Sequence, residues 1–167
     1  FSSGPSHGTM VRVRGDLDTV RTVLQAHPSV SLAGVNGPQS AVISGPDEAV
    51  EAAASTLREQ GLDTRALNVS HAFHSPLMTD AIQDWKLPDL SAAQGRFPVL
   101  STLDGQPLGP RAADPSHWKE QAQRTVQFHQ AIAGTNAEVF VELGPRSGLA
   151  TLAAAQSDAE PVGLQHP

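Results

Sequence analysis

The sequence predicts a mixed α/β chain of the α+β kind, built from two unlike parts, and three observations carry this. Short β-branched runs alternate with amphipathic stretches, residues 9–69 follow the order β-α-β-β-α-β, and the rhythm changes after about residue 70. Thr9 to Arg14 is a short strand. Asp16 to Ala26 starts acidic and spaces Leu17, Val20, Val23 and Leu24 as one helical face. Val30 to Val35 and Ser40 to Ser44 form a hairpin around Asn36-Gly37-Pro38, whose Gly and Pro suit a tight connection. Pro46-Asp47 opens a helix to about Gln60 with Val50, Ala53, Ala54 and Leu57 inward, Gly61 falls where a left-handed C-cap is expected, and Thr64 to Val69 is the last strand. This order is that of a ferredoxin-like unit, in which two helices cover one face of an antiparallel sheet.

The remainder reads differently. A helix follows Pro76 to about Trp85, Leu87 to Gly95 is a Pro/Ala/Gly linker, and Phe97 to Ser101 is a strand leading to a turn at Asp104-Gly105. Asp114-Pro115-Ser116 leads into a long helix to about Gly134, Glu138 to Leu143 is an apolar strand, and Gly144-Pro145 introduces a helix from Ser147. Alternating strand and helix suggests the edge of an α/β layer, with too few strands for a complete sheet. The expected organisation is a linker or expression scar at 1–8, the ferredoxin-like unit at 9–70 and the second part at 71–167.

Composition narrows the function classes. The 167 residues carry a net charge of −6 with no Lys/Arg run, which argues against a nucleic-acid surface. There is no cysteine, so neither disulfides nor thiolate metal sites are expected. No apolar stretch approaches the ~20 residues that span a bilayer, and the N-terminus does not read as a signal peptide. A cytoplasmic protein is expected.

The chemistry-bearing residues cluster in Ser70-His71-Ala72-Phe73-His74-Ser75-Pro76, directly after the last strand of the first part. Junctions between units are where sites collect. A histidine of near-neutral pKa can take a proton from a serine hydroxyl and return it to a leaving thiol, as acyl transfer through a covalent ester requires. Two histidines three apart could instead bind a metal, but this would need a further carboxylate or imidazole, and Asp80 and Asp84 read as helix-surface groups. Spacing alone also allows two ordinary loop histidines.

The motifs His71-Ala72-Phe73-His74-Ser75-Pro76, Val35-Asn36-Gly37-Pro38-Gln39-Ser40 with Val42-Ile43-Ser44-Gly45, Val126-Gln127-Phe128 and Val141-Glu142-Leu143-Gly144-Pro145 occur in one order. Together they resemble the acyltransferase domain of modular type I polyketide synthases over about residues 9 to 157. The resemblance implies that residues from 71 onward are the C-terminal part of an α/β hydrolase-like subdomain. It also implies transfer of malonyl from malonyl-CoA to the phosphopantetheine thiol of an acyl carrier protein, beside synthase neighbours such as a ketosynthase, with no cofactor and no metal. By the same resemblance His74 is the catalytic base, and Gln121 matches a glutamine whose backbone carbonyl orients it. Phe73 stands where malonyl-selective members carry phenylalanine, His71 is a pocket residue, and Thr125 replaces a usual proline. One methyl discriminates by only ~1–3 kcal/mol, so exclusion by the Phe73 ring is of that order.

The family nucleophile sits in a Gly-His-Ser-x-Gly elbow upstream of the ferredoxin-like unit, and the chain is expected to begin after it. Gly4-Pro5-Ser6-His7-Gly8 spells a similar pattern, but no strand precedes it and a strand rather than a helix follows, so it reads as a linker. The carboxylate-binding arginine is expected in the same absent portion, leaving Arg65, Arg96, Arg124 and Arg146 as solvated or ion-paired groups. Two functional readings follow: part of an acyltransferase whose serine lies elsewhere, inactive by itself, or a degenerate remnant serving as scaffold or docking element.

Overall fold

Helix α1 (Leu17–Gln25) begins where Asp16 turns extended and its carboxylate accepts the Thr19 amide at 2.8 Å, satisfying a helix-start donor that has no intrahelical partner. In the computed structural model, which describes residues 8–86, 88, 96–144 and 148–164, α1 follows strand β1 (Gly8–Arg14). The hairpin β2 (Ser31–Gly37) and β3 (Ser40–Pro46) comes next, then α2 (Asp47–Glu59) and β4 (Asp63–Ala66). The two-residue turn is Pro38-Gln39, because β2 runs on through Asn36-Gly37, expected to bend, and Gly37 still pairs with Ser40 of β3. Gly61 has φ +85°, a left-handed conformation that glycine adopts without a Cβ clash, and so ends α2.

The sheet order is β2-β3-β1-β4, with every pair antiparallel. This is the ferredoxin-like arrangement read from the sequence. Val11 and Val13 of β1 and Ala41 and Ile43 of β3 pack against Val20 and Val23 of α1 and against Val50, Ala53, Ala54 and Leu57 of α2. Each fully buried Val, Leu or Ile contributes roughly 1.5–3 kcal/mol, which makes this the main core.

The loop that follows β4 returns under the other end of β1. A Cβ added to Gly8 would lie 2.7 Å from the Ala72 Cβ and 3.1 Å from Leu77 Cδ1, so the bare glycine backbone is what admits the loop. A 3-10 turn (Pro76–Met78) leads into α3 (Thr79–Gln83), which packs on α4 (Pro115–Gln123). Asp104-Gly105 is a turn, with Gly105 at φ +68° and the Gln106 amide donating to the Asp104 carboxylate.

Three expectations are corrected here. The strand at Phe97 to Ser101 is reduced to one bridge, Leu100 to Pro107; Phe97 and Val99 face solvent, so no sheet interior holds the segment extended. The long helix from Asp114 to Gly134 is two helices, α4 and α5 (Phe128–Ala133), broken where Arg124 turns extended at ψ 163° and the β-branched pair Thr125-Val126 joins the sheet edge. Strand β4 stops at Ala66 rather than Val69, with Leu67 making one further amide bond to Met10.

The C-terminal stretch adds β5 (Val139–Leu143), α6 (Gly148–Ala154) and β6 (Glu160–Leu164). Strand β6 lies in Pro161-Val162-Gly163, a composition that reads as loop, yet it pairs parallel to β5 from Val139↔Glu160 to Leu143↔Leu164. Parallel pairing needs a crossover element, which α6 supplies. Val139, Val141 and Leu143 project apolar side chains to solvent from one face of this ladder, Leu143 at 81% exposure. The linker at Leu87 to Gly95 falls almost wholly outside the described residues, as does Pro145.

Candidate active site

The His74 loop is built around Ser75, which has no exposed surface. Its hydroxyl donates to the Ala72 carbonyl at 2.6 Å and accepts the Leu77 amide at 3.3 Å, capping the 3-10 turn that begins at Pro76. His74, immediately before it, has φ +58°, and among the described residues it alone is non-glycine with positive φ. A left-handed histidine persists only where its surroundings over-determine it. The determinants are visible: its amide donates to the Ala122 carbonyl at 3.2 Å, and its ring Nδ1 lies 3.1 Å from the Arg124 carbonyl oxygen.

A carbonyl only accepts, so Nδ1 carries the proton in this contact, and in the neutral ring Nε2 keeps the lone pair. Burial holds the His74 pKa below its ordinary 6.5 by disfavouring the imidazolium. The Arg124 carbonyl, which accepts from the ring at 3.1 Å, and to a smaller extent the Gln121 backbone oppose that shift. The net direction is downward, so the ring is neutral at neutral pH and able to receive a proton.

Helix α4 and its extended exit position these carbonyls. The last turn of α4 closes with the Arg124 amide on the Glu120 carbonyl at 2.8 Å. The next residues fasten to the edge of β2: Thr125 Oγ1 donates to the Leu32 carbonyl at 2.7 Å, the Val126 amide to the Ala33 carbonyl at 2.9 Å, and the Val35 amide to the Val126 carbonyl at 2.8 Å. The open edge of the sheet is thereby covered. His74 lines a cleft of about 520 Å³ between this edge and α3, with Ser31, Leu32, Thr79, Leu103 and Arg124 among its walls.

Of the four site residues read from the sequence, His74 lies on this cleft, while Gln121 is not among its lining residues and bears on the ring only through a small upward influence of its backbone on the His74 pKa. Phe73 and His71 are half-buried with ring centroids 5.8 Å apart, but neither is among the cleft's lining residues. His71 Nδ1 lies 2.8 Å from the Ser70 hydroxyl. Among the described residues no three His, Asp or Glu groups converge as metal ligands would. Arg124 pairs with Glu120 at 3.1 Å and Arg96 sits over the Phe97 ring, while Arg146 and the Gly4-to-His7 decoy lie outside the described residues. The sequence reading missed the Arg124 carbonyl and the Thr125 strap. The available signal was a β-branched pair interrupting a helical stretch, but a backbone carbonyl leaves no mark of its own in a sequence.

Comparison with known proteins places the chain in a family. The family described as "Acyl transferase domain" matches residues 5–162. Mycoketide-CoA synthase of Mycobacterium tuberculosis is 38% identical over 150 residues, covering 87% of this chain and 4% of that protein. The spectinabilin polyketide synthase system protein NorB of Streptomyces orinoci is 36% identical over 156 residues, covering 89% and 7%. Among solved structures, the acyltransferase domain from the second module of the salinomycin polyketide synthase superposes with a TM-score of 0.84 at 37% identity, covering 98% of this chain and 40% of that one. The malonyl-CoA:acyl carrier protein transacylase FabD of Xanthomonas oryzae pv. oryzae gives 0.82 at 26%, covering 99% and 56%. The chain therefore spans a small fraction of the synthases it matches and less than half of the salinomycin domain. No helix among the described residues is long and apolar enough to cross a membrane. With the family matched across nearly the whole chain and the same fold in solved members, the protein belongs to the acyl transferase domain family, and its relatives are polyketide synthases.

Proposed function

We propose that this chain is the base-bearing part of a polyketide synthase acyltransferase domain that moves malonyl from coenzyme A to the thiol of a carrier protein's phosphopantetheine arm. The observation that carries this reading is His74, a neutral imidazole with Nδ1 committed to a backbone carbonyl and Nε2 left to act at the wall of a cleft. In the reaction, Nε2 takes the proton of a serine hydroxyl as its oxygen attacks the malonyl thioester carbonyl, the C–S bond breaks, and the imidazolium protonates the departing coenzyme A thiolate. The second half reverses the roles: His74 deprotonates the carrier thiol, which attacks the malonyl-serine ester, and the serine oxygen recovers the proton.

No Gly-His-Ser-x-Gly elbow occurs in these 167 residues, so the serine belongs to another stretch of the domain. The apolar face of β5, with Val139, Val141 and Leu143 open, supports a further layer of the domain packing over it from that stretch. The division at about residue 70, between a ferredoxin-like unit and the C-terminal part of a larger subdomain, belongs to the same reading. So do Gln121 as the orienting residue, Phe73 as the selector against α-branched acyl groups and His71 as its neighbour in the pocket. A ketosynthase is the expected neighbour in the synthase.

The test reconstitutes the domain from this chain and the nucleophile-bearing portion of a matching domain. After addition of malonyl-CoA, intact-protein mass spectrometry should show a malonyl adduct on the serine-bearing portion, and His74→Gln should reduce its formation by at least a hundredfold, the lower end of what general base catalysis contributes. A folded, associated complex that never acylates would overturn the reading in favour of a non-catalytic scaffold.

A further inference from the structure

The His74 ring is aimed by a backbone carbonyl, that of Arg124. The Arg124 C=O shares one rigid peptide plane with the Thr125 N–H, so whatever anchors Thr125 also sets the direction of the oxygen. Two anchors act on this plane from its C-terminal side. One is the amide and carbonyl of Val126 on β2, at 2.9 and 2.8 Å; the other is the Thr125 hydroxyl on the Leu32 carbonyl at 2.7 Å, a contact across 93 residues of sequence. On the other side the Arg124 amide ends α4 on the Glu120 carbonyl. The plane is thus clamped between the end of a helix and the edge of the ferredoxin-like sheet.

We propose that Thr125 is a positioning residue: its hydroxyl ties the Arg124–Thr125 peptide to β2, which holds the Arg124 carbonyl on His74 Nδ1 and leaves Nε2 as the basic nitrogen. The β2 edge is irregular here, with a register shift between Leu32 and Gly34. That irregularity leaves the Leu32 carbonyl to accept from Thr125 while the neighbouring Ala33 carbonyl takes the Val126 amide. The ferredoxin-like unit therefore contributes to the site without placing a side chain on the reacting atoms. Through Thr125 it selects the tautomer of a histidine on the loop beyond β4. The consequence for acyl transfer rests on the function proposed above, but the tautomer itself does not.

The experiment uses this chain with 15N-labelled histidine and reads the His74 ring nitrogens by NMR above the titration range. The wild type should hold His74 with the proton on Nδ1. Thr125→Val, close to isosteric and lacking the hydroxyl, should lower the ratio of Nδ1-protonated to Nε2-protonated ring by about tenfold, the scale of one hydrogen bond. It should also move the titration midpoint further down, because a contact favouring the charged ring is weakened. Thr125→Ser keeps the donor and should restore the wild-type ratio. A residue that merely stabilised the fold would lower the unfolding midpoint in both variants without moving the tautomer. If Thr125→Val does not fold, Thr125→Ala against Thr125→Ser makes the same comparison. A wild-type ratio in the hydroxyl-free variant, or loss of it in Thr125→Ser, overturns the proposal. Because the signal comes from the ring, either result is independent of whether the reconstituted domain acylates.

Discussion

Ser75→Ala is the substitution whose cost can be worked most directly from the geometry. It removes one hydroxyl from a site with no solvent access, leaving the Ala72 carbonyl without its 2.6 Å donor and the Leu77 amide without its 3.3 Å acceptor. A buried polar group left unpaired costs about 1–3 kcal/mol, and the short bond to Ala72 places its loss near the middle of that range, about 2 kcal/mol. The longer bond to Leu77 is a weak cap and adds about 0.5 kcal/mol, the low end for capping serines. With a urea dependence of about 2 kcal/mol per molar, the total of about 2.5 kcal/mol lowers the unfolding midpoint by roughly 1.2 M. Equilibrium unfolding followed by circular dichroism measures this, and hydrogen exchange at the Leu77 amide should accelerate in step. A midpoint within about 0.3 M of wild type at unchanged slope would refute the claim that Ser75 is the internal support of the His74 loop.

Two further outcomes are expected. Gly8→Ala would place a methyl 2.7 Å from the Ala72 Cβ, well inside the ~3.5–4.0 Å of carbon contact, so it should destabilise by about 1–3 kcal/mol and shift the His74 ring signals; a neutral variant with unshifted signals would show that the loop does not rest on β1. For pH, His74 is held below 6.5 when folded, so between the folded and unfolded pKa values the unfolded chain binds more protons; its contribution to stability is complete above pH 6.5 and is lost as pH falls through the lowered folded value. His74→Gln should flatten that part of the stability profile, and an identical slope in both proteins would contradict the assignment.

The elements that could be read from the sequence are those whose signal is local. The inward face of α2, Val50, Ala53, Ala54 and Leu57, repeats at helical spacing, and all four are buried. Asp16 announces a helix start through its side-chain carboxylate and Gly61 a helix end through its unhindered backbone, and both perform that role. Where a segment's conformation depends on a distant partner, the local pattern misleads. Strand β6 carries Pro161 and Gly163 and becomes a strand only because β5 lies beside it. Phe97 and Val99 have strand-like side chains but find no ladder, and a helical stretch opens at Arg124 because β2 offers its edge to Val126.

The candidate site divides in the same way. That His74 is a candidate general base was readable only through the resemblance of its motif and three others, in a fixed order, to the acyltransferase family, because the sequence records which residues carry a titratable group. Which nitrogen of that ring carries the proton was decided only by the tertiary structure. The choice depends on a carbonyl 50 residues away in the chain, held by a peptide plane fastened to an edge strand. Every residue has such a carbonyl, so only the fold distinguishes the one that faces Nδ1.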